Sequence, residues 1–314
     1  MHNPLFSLGL TLTLSGALVS ALKIAASLEV IEYTPAQIAI EDYYDGNAEI
    51  IDGSVATLLN DTSFDLATNA ETQALREYGK NKSLRIIWTV AEVTYRIVGR
   101  ASAGISTLED LKGKKIGAIP STSAAYFVEK YLGTIGLTTS DYNITYGKAC
   151  LSAPCPENSL PSMLAAGSVD AVGIWEPTLE LAIEAIGDDA VVFQDPATYR
   201  ELFNLHSTVE KLSDPAIRSD IVEFIRSLYQ AEKVFESDPE SIWPRAAAIL
   251  GMDVGVLEAV WPTHNFTTTL ATDLMQALAE EDQWIANLEN RSPLSEEELA
   301  QLVDTSVLEE VLGA

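Results

Sequence analysis

The chain has 314 residues, 47% hydrophobic and 21% charged, which is enough apolar material for a sizeable core and enough length for two units of ordinary domain size. Its formal net charge of -27 argues against a nucleic-acid partner, because little basic charge is available to neutralise phosphates. The same acidity suits a soluble exported protein and leaves the chemistry of any one cleft open.

Residues 1–21 contain no Asp, Glu, Lys or Arg, and Leu5 to Val19 is an apolar run short for a membrane span. With small residues at Val19 and Ala21, this stretch is read as a signal peptide, so secretion to the extracellular space is expected, or to the periplasm in a bacterium. From Leu22 the run LKIAASL predicts a strand, and Thr34 and Pro35 start a helix to about Tyr44. A strand at Ala48 to Ile51, a short helix at Ser54 to Leu59 and a buried strand at Phe64 to Ala67 follow, with Thr68, Asn69, Ala70 and Glu71 in the next turn. Leu84 to Thr89 and Tyr95 to Val98 read as two more strands, so the pattern is α/β.

The stretch STLEDLKGKKIGAIPSTSAA, Ser106 to Ala125, organises the middle of the chain. Ser106 and Thr107 cap a short helix over Leu108 to Leu111, Gly113 ends it, and Lys115 to Ile119 is a compact apolar strand stopped by Pro120. Ser121, Thr122 and Ser123 then stand at the start of a helix, where unpaired backbone N–H groups collect. Ordinary capping and ligand binding both account for three hydroxyls there.

ISTLEDLKGKKIGAIPSTSAAYFVEKYLGTIGL, followed by LPSMLAAGSVDAVGIWEP, resembles the type II periplasmic binding proteins that serve sulfonate, nitrate and taurine transporters. That family also holds binding proteins for pyrimidine precursors of thiamine and the related fungal pyrimidine synthases. The resemblance implies a two-lobed fold, each lobe a mainly parallel sheet flanked by helices, with the ligand cleft between them. Residues 22–97 would form the first part of lobe one, 98–195 lobe two, and 196–314 the return to lobe one with C-terminal helices. An internal echo supports two equivalent lobes: KIAASLEV parallels KIGAIPST, and SFDLA parallels SVDAV, in the same order.

Cys150 and Cys155 enclose LSAP, a layout suited to a small disulfide-closed loop rather than a metal site, since zinc needs ligands beyond two histidines far apart. Five Asn-X-Ser/Thr sequons stand at Asn60, Asn81, Asn143, Asn265 and Asn290, so a secreted eukaryotic, fungal member of the family would be a glycoprotein. The remainder reads as mostly helical: Asp214 and Pro215 start one helix, Asp238 and Pro239 another, and Thr269 to Leu288 continues the pattern.

In open sheets the ligand lies beyond the carboxyl ends of the strands. Lobe one would therefore supply Glu29, Thr68, Asn69 and Glu71, with Tyr33 read more as core than as site, and lobe two Ser121, Thr122, Ser123, Trp175 and Glu176, with Trp88 and Tyr95 near the crossover. Trp175 stacks on a flat ligand or packs beneath its turn; Glu176 faces the ligand or caps the next helix; Asn69 contacts ligand or caps. A helix start favours an anion, yet Glu29, Glu71, Glu92 and Glu176 would repel one, so a neutral or amine-bearing ligand fits better than nitrate.

The expected function is capture of a small polar organic molecule by hinge closure, without catalysis, cofactor or metal, in a monomer that docks on a permease if bacterial. The common hydrolase, metalloprotease and nucleotide motifs are absent. A thiamine-pyrimidine synthase-like enzyme is the alternative; its relatives use pyridoxal phosphate and a cysteine-rich motif, and this chain has two cysteines. A secreted scavenging or interaction protein on the same scaffold is the third reading.

Overall fold

The computed structural model describes residues 21–313, apart from the side chains at 267 and 268; the expected signal segment therefore lies outside the described residues except for Ala21. The chain opens with β1 (Leu22–Ala26), α1 (Thr34–Asp42), β2 (Ala48–Asp52), α2 (Val55–Asn60), β3 (Leu66–Ala70), α3 (Glu71–Tyr78) and the long β4 (Leu84–Thr94). It then runs through β5 (Arg96–Arg100), β6 (Lys115–Ala118), α4 (Ser123–Gly133), β7 (Asn143–Tyr146), α5 (Leu160–Ala165), β8 (Ala171–Ile174), α6 (Thr178–Ile186) and β9 (Ala190–Phe193). It ends with β10 (Arg200–Thr208), α7 (Val209–Ser213), α8 (Pro215–Ser237), α9 (Pro239–Leu250), α10 (Val254–Val260), β11 (His264–Thr269), α11 (Leu274–Glu289), α12 (Glu296–Leu302) and α13 (Ser306–Leu312).

Two sheets result. The first has the order β11-β4-β10-β3-β1-β2, the second β7-β6-β8-β5-β9. Both are mixed rather than mainly parallel. β1 runs parallel to β2 and β3, and β6 parallel to β7 and β8. β4, β10 and β11 are antiparallel to their neighbours in the first sheet, and β5 to both of its neighbours in the second.

The internal echo is a real structural repeat. In the first sheet the Lys23 amide donates to Asp65 Oδ2 at 3.0 Å while the Asp65 amide returns a bond to the Lys23 carbonyl at 2.9 Å. In the second sheet Lys115 and Asp170 make the same two bonds, at 2.9 and 2.8 Å. Each aspartate thus satisfies the free amide at the start of a central strand and sets the next parallel strand in register.

Three elements differ from the sequence reading. β10, a nine-residue strand, lies between β3 and β4 where a helical region was expected to begin. All but its first residue are buried, so its side chains show no polar-apolar alternation to mark it. β11 occupies an edge of the same sheet, and the helix expected from Thr269 starts at Leu274. Thr68, Asn69 and Ala70 belong to β3 rather than to a turn, because they pair with Leu205, Asn204 and Phe203 of β10.

The chain passes between the sheets at Tyr95, which separates β4 from β5, and again through residues 194–199, between β9 and β10. Tyr95 and Tyr199, one from each crossing, meet edge to face at 5.3 Å, and Tyr95 packs on Phe127 of α4 at 5.5 Å. Cys150 and Cys155 form a disulfide just before α5. Asn60, Asn143, Asn265 and Asn290 are exposed, whereas Asn81 is half-buried and accepts a bond from the Ser83 amide at 3.0 Å.

Candidate functional site

A cavity of about 400 Å³ opens between the sheets at the carboxyl ends of their parallel strands. Ser27 follows β1, Asp52 ends β2, Ser54 caps α2 and Asn69 lies at the end of β3, so each of the three parallel strands of the first sheet contributes a polar group at its carboxyl end, with β2 and its turn giving two. Opposite them, Thr122 and Ser123 come from the turn after β6, and Trp175 follows β8.

The turn after β6 is shaped by its own hydroxyls and by the first sheet. Thr122 caps α4 by accepting from the Ala124 amide at 3.3 Å, while its hydroxyl donates to the Ile119 carbonyl at 2.7 Å. Ser121 sits at φ 60°, a left-handed conformation unusual for a residue with a side chain. Its carbonyl accepts from Gln73 Nε2 at 3.2 Å and from Arg76 Nη1 at 3.0 Å, so α3 holds the turn from across the cavity.

Of the expected site residues, the cavity gathers Asn69, Thr122, Ser123 and Trp175. Trp175 is half-buried, which leaves part of the indole for a ligand. The others lie elsewhere. Glu29 is exposed in the loop after β1. Ser121 acts through its carbonyl, as described. Thr68 is fully buried in β3, and Trp88 is fully buried in β4, where its indole N–H donates to both carboxyl oxygens of Glu232 at 3.1 Å. Glu176 is buried, takes a guanidinium bond from Arg96 at 2.6 Å and caps α6 through the Glu180 amide at 3.0 Å. Glu71 is buried as well, accepting from Tyr199 at 2.9 Å and from the Leu202 amide at 2.8 Å. Burial, and next the nearby Glu71, hold Glu281 well above the usual carboxylate range, and burial raises Glu71 as well. Glu92 is tied up by Arg200.

Other carboxyls take the place of those four at the cavity. Glu32 and Glu201, both buried, line it together with the exposed Asp52. Burial pushes Glu32 up to about 7 and Glu201 well above its ordinary value, the latter also repelled by Glu71 and Glu32. Glu201 accepts a short bond from the Tyr95 hydroxyl, which in turn lies 3.0 Å from Ser123 Oγ. A residue of the first crossing thus joins the two walls. Sequence reasoning missed Glu201 because β10 was not read as a strand, and Glu32 because it sits in a short 3₁₀ turn (Ile31–Tyr33) several residues beyond the end of β1.

The lining offers hydroxyl and amide groups, carboxyls, and the aromatic faces of Trp175 and Phe203, with no Lys, Arg, His or Cys. Burial holds both Glu201 and the Tyr95 phenol beside Ser123 well above their ordinary ranges, which disfavours an ionised base there.

A model of the family described as NMT1/THI5 like matches residues 49–209. No curated protein sequence matches the chain. Among solved structures, the alkanesulfonate-binding protein SsuA from Xanthomonas axonopodis pv. citri, bound to MOPS, superposes with a TM-score of 0.71 at 19% identity, covering 93% of this chain and 100% of that one. The periplasmic aliphatic sulphonate binding protein SsuA from Escherichia coli gives 0.70 at 14% identity, covering 91% and 92%. A cysteine-to-serine mutant of DSZB in complex with biphenyl-2-sulfinic acid gives 0.66 at 15% identity, covering 94% and 99%. The structural likeness establishes the periplasmic-binding-protein fold. The family model spans more than half of the sequence, from β2 through β10, and on that match the chain belongs to the NMT1/THI5-like family.

Proposed function

We propose that this protein is a solute-binding protein that captures a small polar organic molecule, of the sulfonate, taurine-like or aminopyrimidine kind, between two lobes and without changing a bond. The observation that carries this reading is the cavity lined by strand ends of both sheets, with Asn69 and Gln73 facing Thr122, Ser123 and Trp175. Lobe one comprises residues 22–94 and 200–314 and lobe two residues 96–193, a few residues from the expected 98–195 because β5 lies in the second sheet, and the crossings at Tyr95 and at 194–199 serve as hinge. Ligand favours the closed arrangement because only there do both walls reach it. The similar proteins named SsuA are periplasmic sulfonate binders, which supports export of this chain and, in a bacterium, delivery of the ligand to a membrane permease.

The family model also keeps a pyrimidine synthase-like enzyme in view. The residues present do not fit its chemistry: no lysine lines the cavity to hold pyridoxal phosphate, and no metal-binding group of three His, Cys, Asp or Glu occurs among the described residues.

The test is thermal stability against a panel of sulfonates, taurine and aminopyrimidines. A true ligand at a hundredfold its Kd adds about 2.7 kcal/mol. The shift should vanish in Trp175→Ala, with circular dichroism confirming that the variant folds, because part of the ring also packs against the core. A ligand whose shift survives Trp175→Ala and Asn69→Ala together binds elsewhere and overturns the site.

A further inference from the structure

We infer that the ligand carries a cationic nitrogen and that Glu32 is the residue that reads it. The inference rests on the cavity between the sheets being the ligand site.

Charge is the first observation. Three carboxyl residues line the cavity, Glu32, Asp52 and Glu201, and no Lys or Arg does. Burial favours the neutral form of Glu201, so the charge rests on Glu32 and Asp52: an anion entering there meets their carboxylates with no cation to offset them, whereas a cation is attracted by the same two groups. An acidic lining alone decides little, because carboxyls are often matched by neighbours. The partners of each one therefore matter.

Glu201 is committed to the Tyr95 hydroxyl. Asp52 is exposed at the rim, where water solvates it. Glu32 is different: it is 1% exposed, and its Oε2 has no hydrogen-bond partner among the described residues. A buried acceptor in that state is an unmet demand for a donor. The backbone of Ile31 and Glu32 acts on the carboxyl yet leaves Oε2 unpaired, and the side chains around it do not meet the demand. His264 Nε2, at the start of β11, lies 3.9 Å from Glu32 Oε1, beyond hydrogen-bond reach, and burial keeps that imidazole neutral by lowering it to about 4. Glu176, the other carboxyl acting on Glu32, is engaged with Arg96, whose guanidinium also binds Glu180.

Shape adds the last constraint. Trp175 and Phe203 supply aromatic surface to the same cavity, and aromatic faces favour flat, delocalised cations. An amidinium or protonated amine on a planar frame satisfies the donor-hungry carboxyl and the ring faces together.

The experiment uses three planar isosteres of different charge: benzamidine, benzamide and benzoate. Binding of each to the full chain is measured by calorimetry and thermal shift at pH 8, where Glu32 is mostly ionised. Benzamidine should bind at least about tenfold more tightly than benzamide, and benzoate should not bind. Glu32→Gln should weaken benzamidine by about tenfold while leaving benzamide unchanged. Asp52→Asn, at the exposed rim and harmless to the core, should weaken benzamidine by roughly twofold to threefold and provides the test if Glu32→Gln fails to fold. The inference is overturned if benzoate binds as well as benzamidine, if benzamidine does not bind, or if these substitutions leave its affinity unchanged. A thermal shift with isethionate but not with benzamidine would overturn the charge assignment and keep the cavity as a solute site. Silence toward benzamidine, isethionate and the aminopyrimidines alike would remove both readings.

Discussion

At the scale of single residues, a side chain's neighbours decide between structure and binding. Trp88 and Trp175 look alike in sequence as aromatic residues near expected strand ends. Trp88 is locked in the core by Glu232, while Trp175 keeps an open face at the cavity. Trp88→Phe removes the hydrogen bonds to the buried Glu232 carboxyl, and the orphaned group should cost about 1–3 kcal/mol in urea unfolding without altering ligand affinity. A change in affinity with stability intact would place Trp88 in the site after all. Glu71 and Glu176 teach the same lesson, because a carboxylate's position in the sequence says nothing about which cation or amide will claim it.

At the scale of elements, the turns did more than the strands to build the site. The Lys115 to Ala118 strand, the stop at Pro120 and the Thr122 cap were legible because each rests on local chemistry: an apolar run, a missing N–H and a hydroxyl acceptor. The left-handed Ser121 was not legible, since its carbonyl is held by Gln73 and Arg76 from a helix more than forty residues away in sequence. The loop between Cys150 and Cys155 is a local device of another kind. Closing so short a loop restricts the unfolded chain modestly, so replacing both cysteines by serine should lower stability by about 2 kcal/mol, read as a drop in the urea midpoint. An unchanged midpoint would mean that the loop is already ordered in the unfolded ensemble.

At the scale of the whole molecule, buried acidity sets the response to pH. Burial raises Glu32 to about 7 and holds Glu71, Glu201, Glu232 and Glu281 above their ordinary range as well. A carboxyl whose folded pKa exceeds its unfolded value binds its proton more tightly when folded. Its stabilising contribution is complete below the unfolded pKa near 4.5 and fades as pH rises through the folded value. His206 and His264 act in the opposite sense: each is lowered to about 4 by burial, so their contribution is complete above 6.5 and fades as pH falls. The melting temperature should therefore rise from pH 8 to pH 6, with the two histidines blunting the gain below 6.5. A melting temperature that falls steadily over that range would show that these carboxyls are ionised in the folded protein.

The sequence alone determined the α/β class, the periplasmic-binding-protein fold, the Cys150–Cys155 bridge and the repeat of Lys23 with Asp65 in Lys115 with Asp170. The class, the bridge and the repeat rest on local periodicity, spacing and words repeated within one chain, whereas the fold came from the resemblance of the words around Ser106 to Ala125 and IWEP to a known family; such signals survive without knowledge of distant neighbours. Only the tertiary structure decided the membership of the cavity and the mixed character of the sheets. β10 carries Glu201 to the cavity, yet it is a strand because β3 and β4 flank it, and Glu32 becomes an unmatched acceptor only because β11 and the Arg96–Glu176 pair close around it without reaching it. Burial and charge compensation are sums over contacts from the whole chain, and no window of sequence contains them.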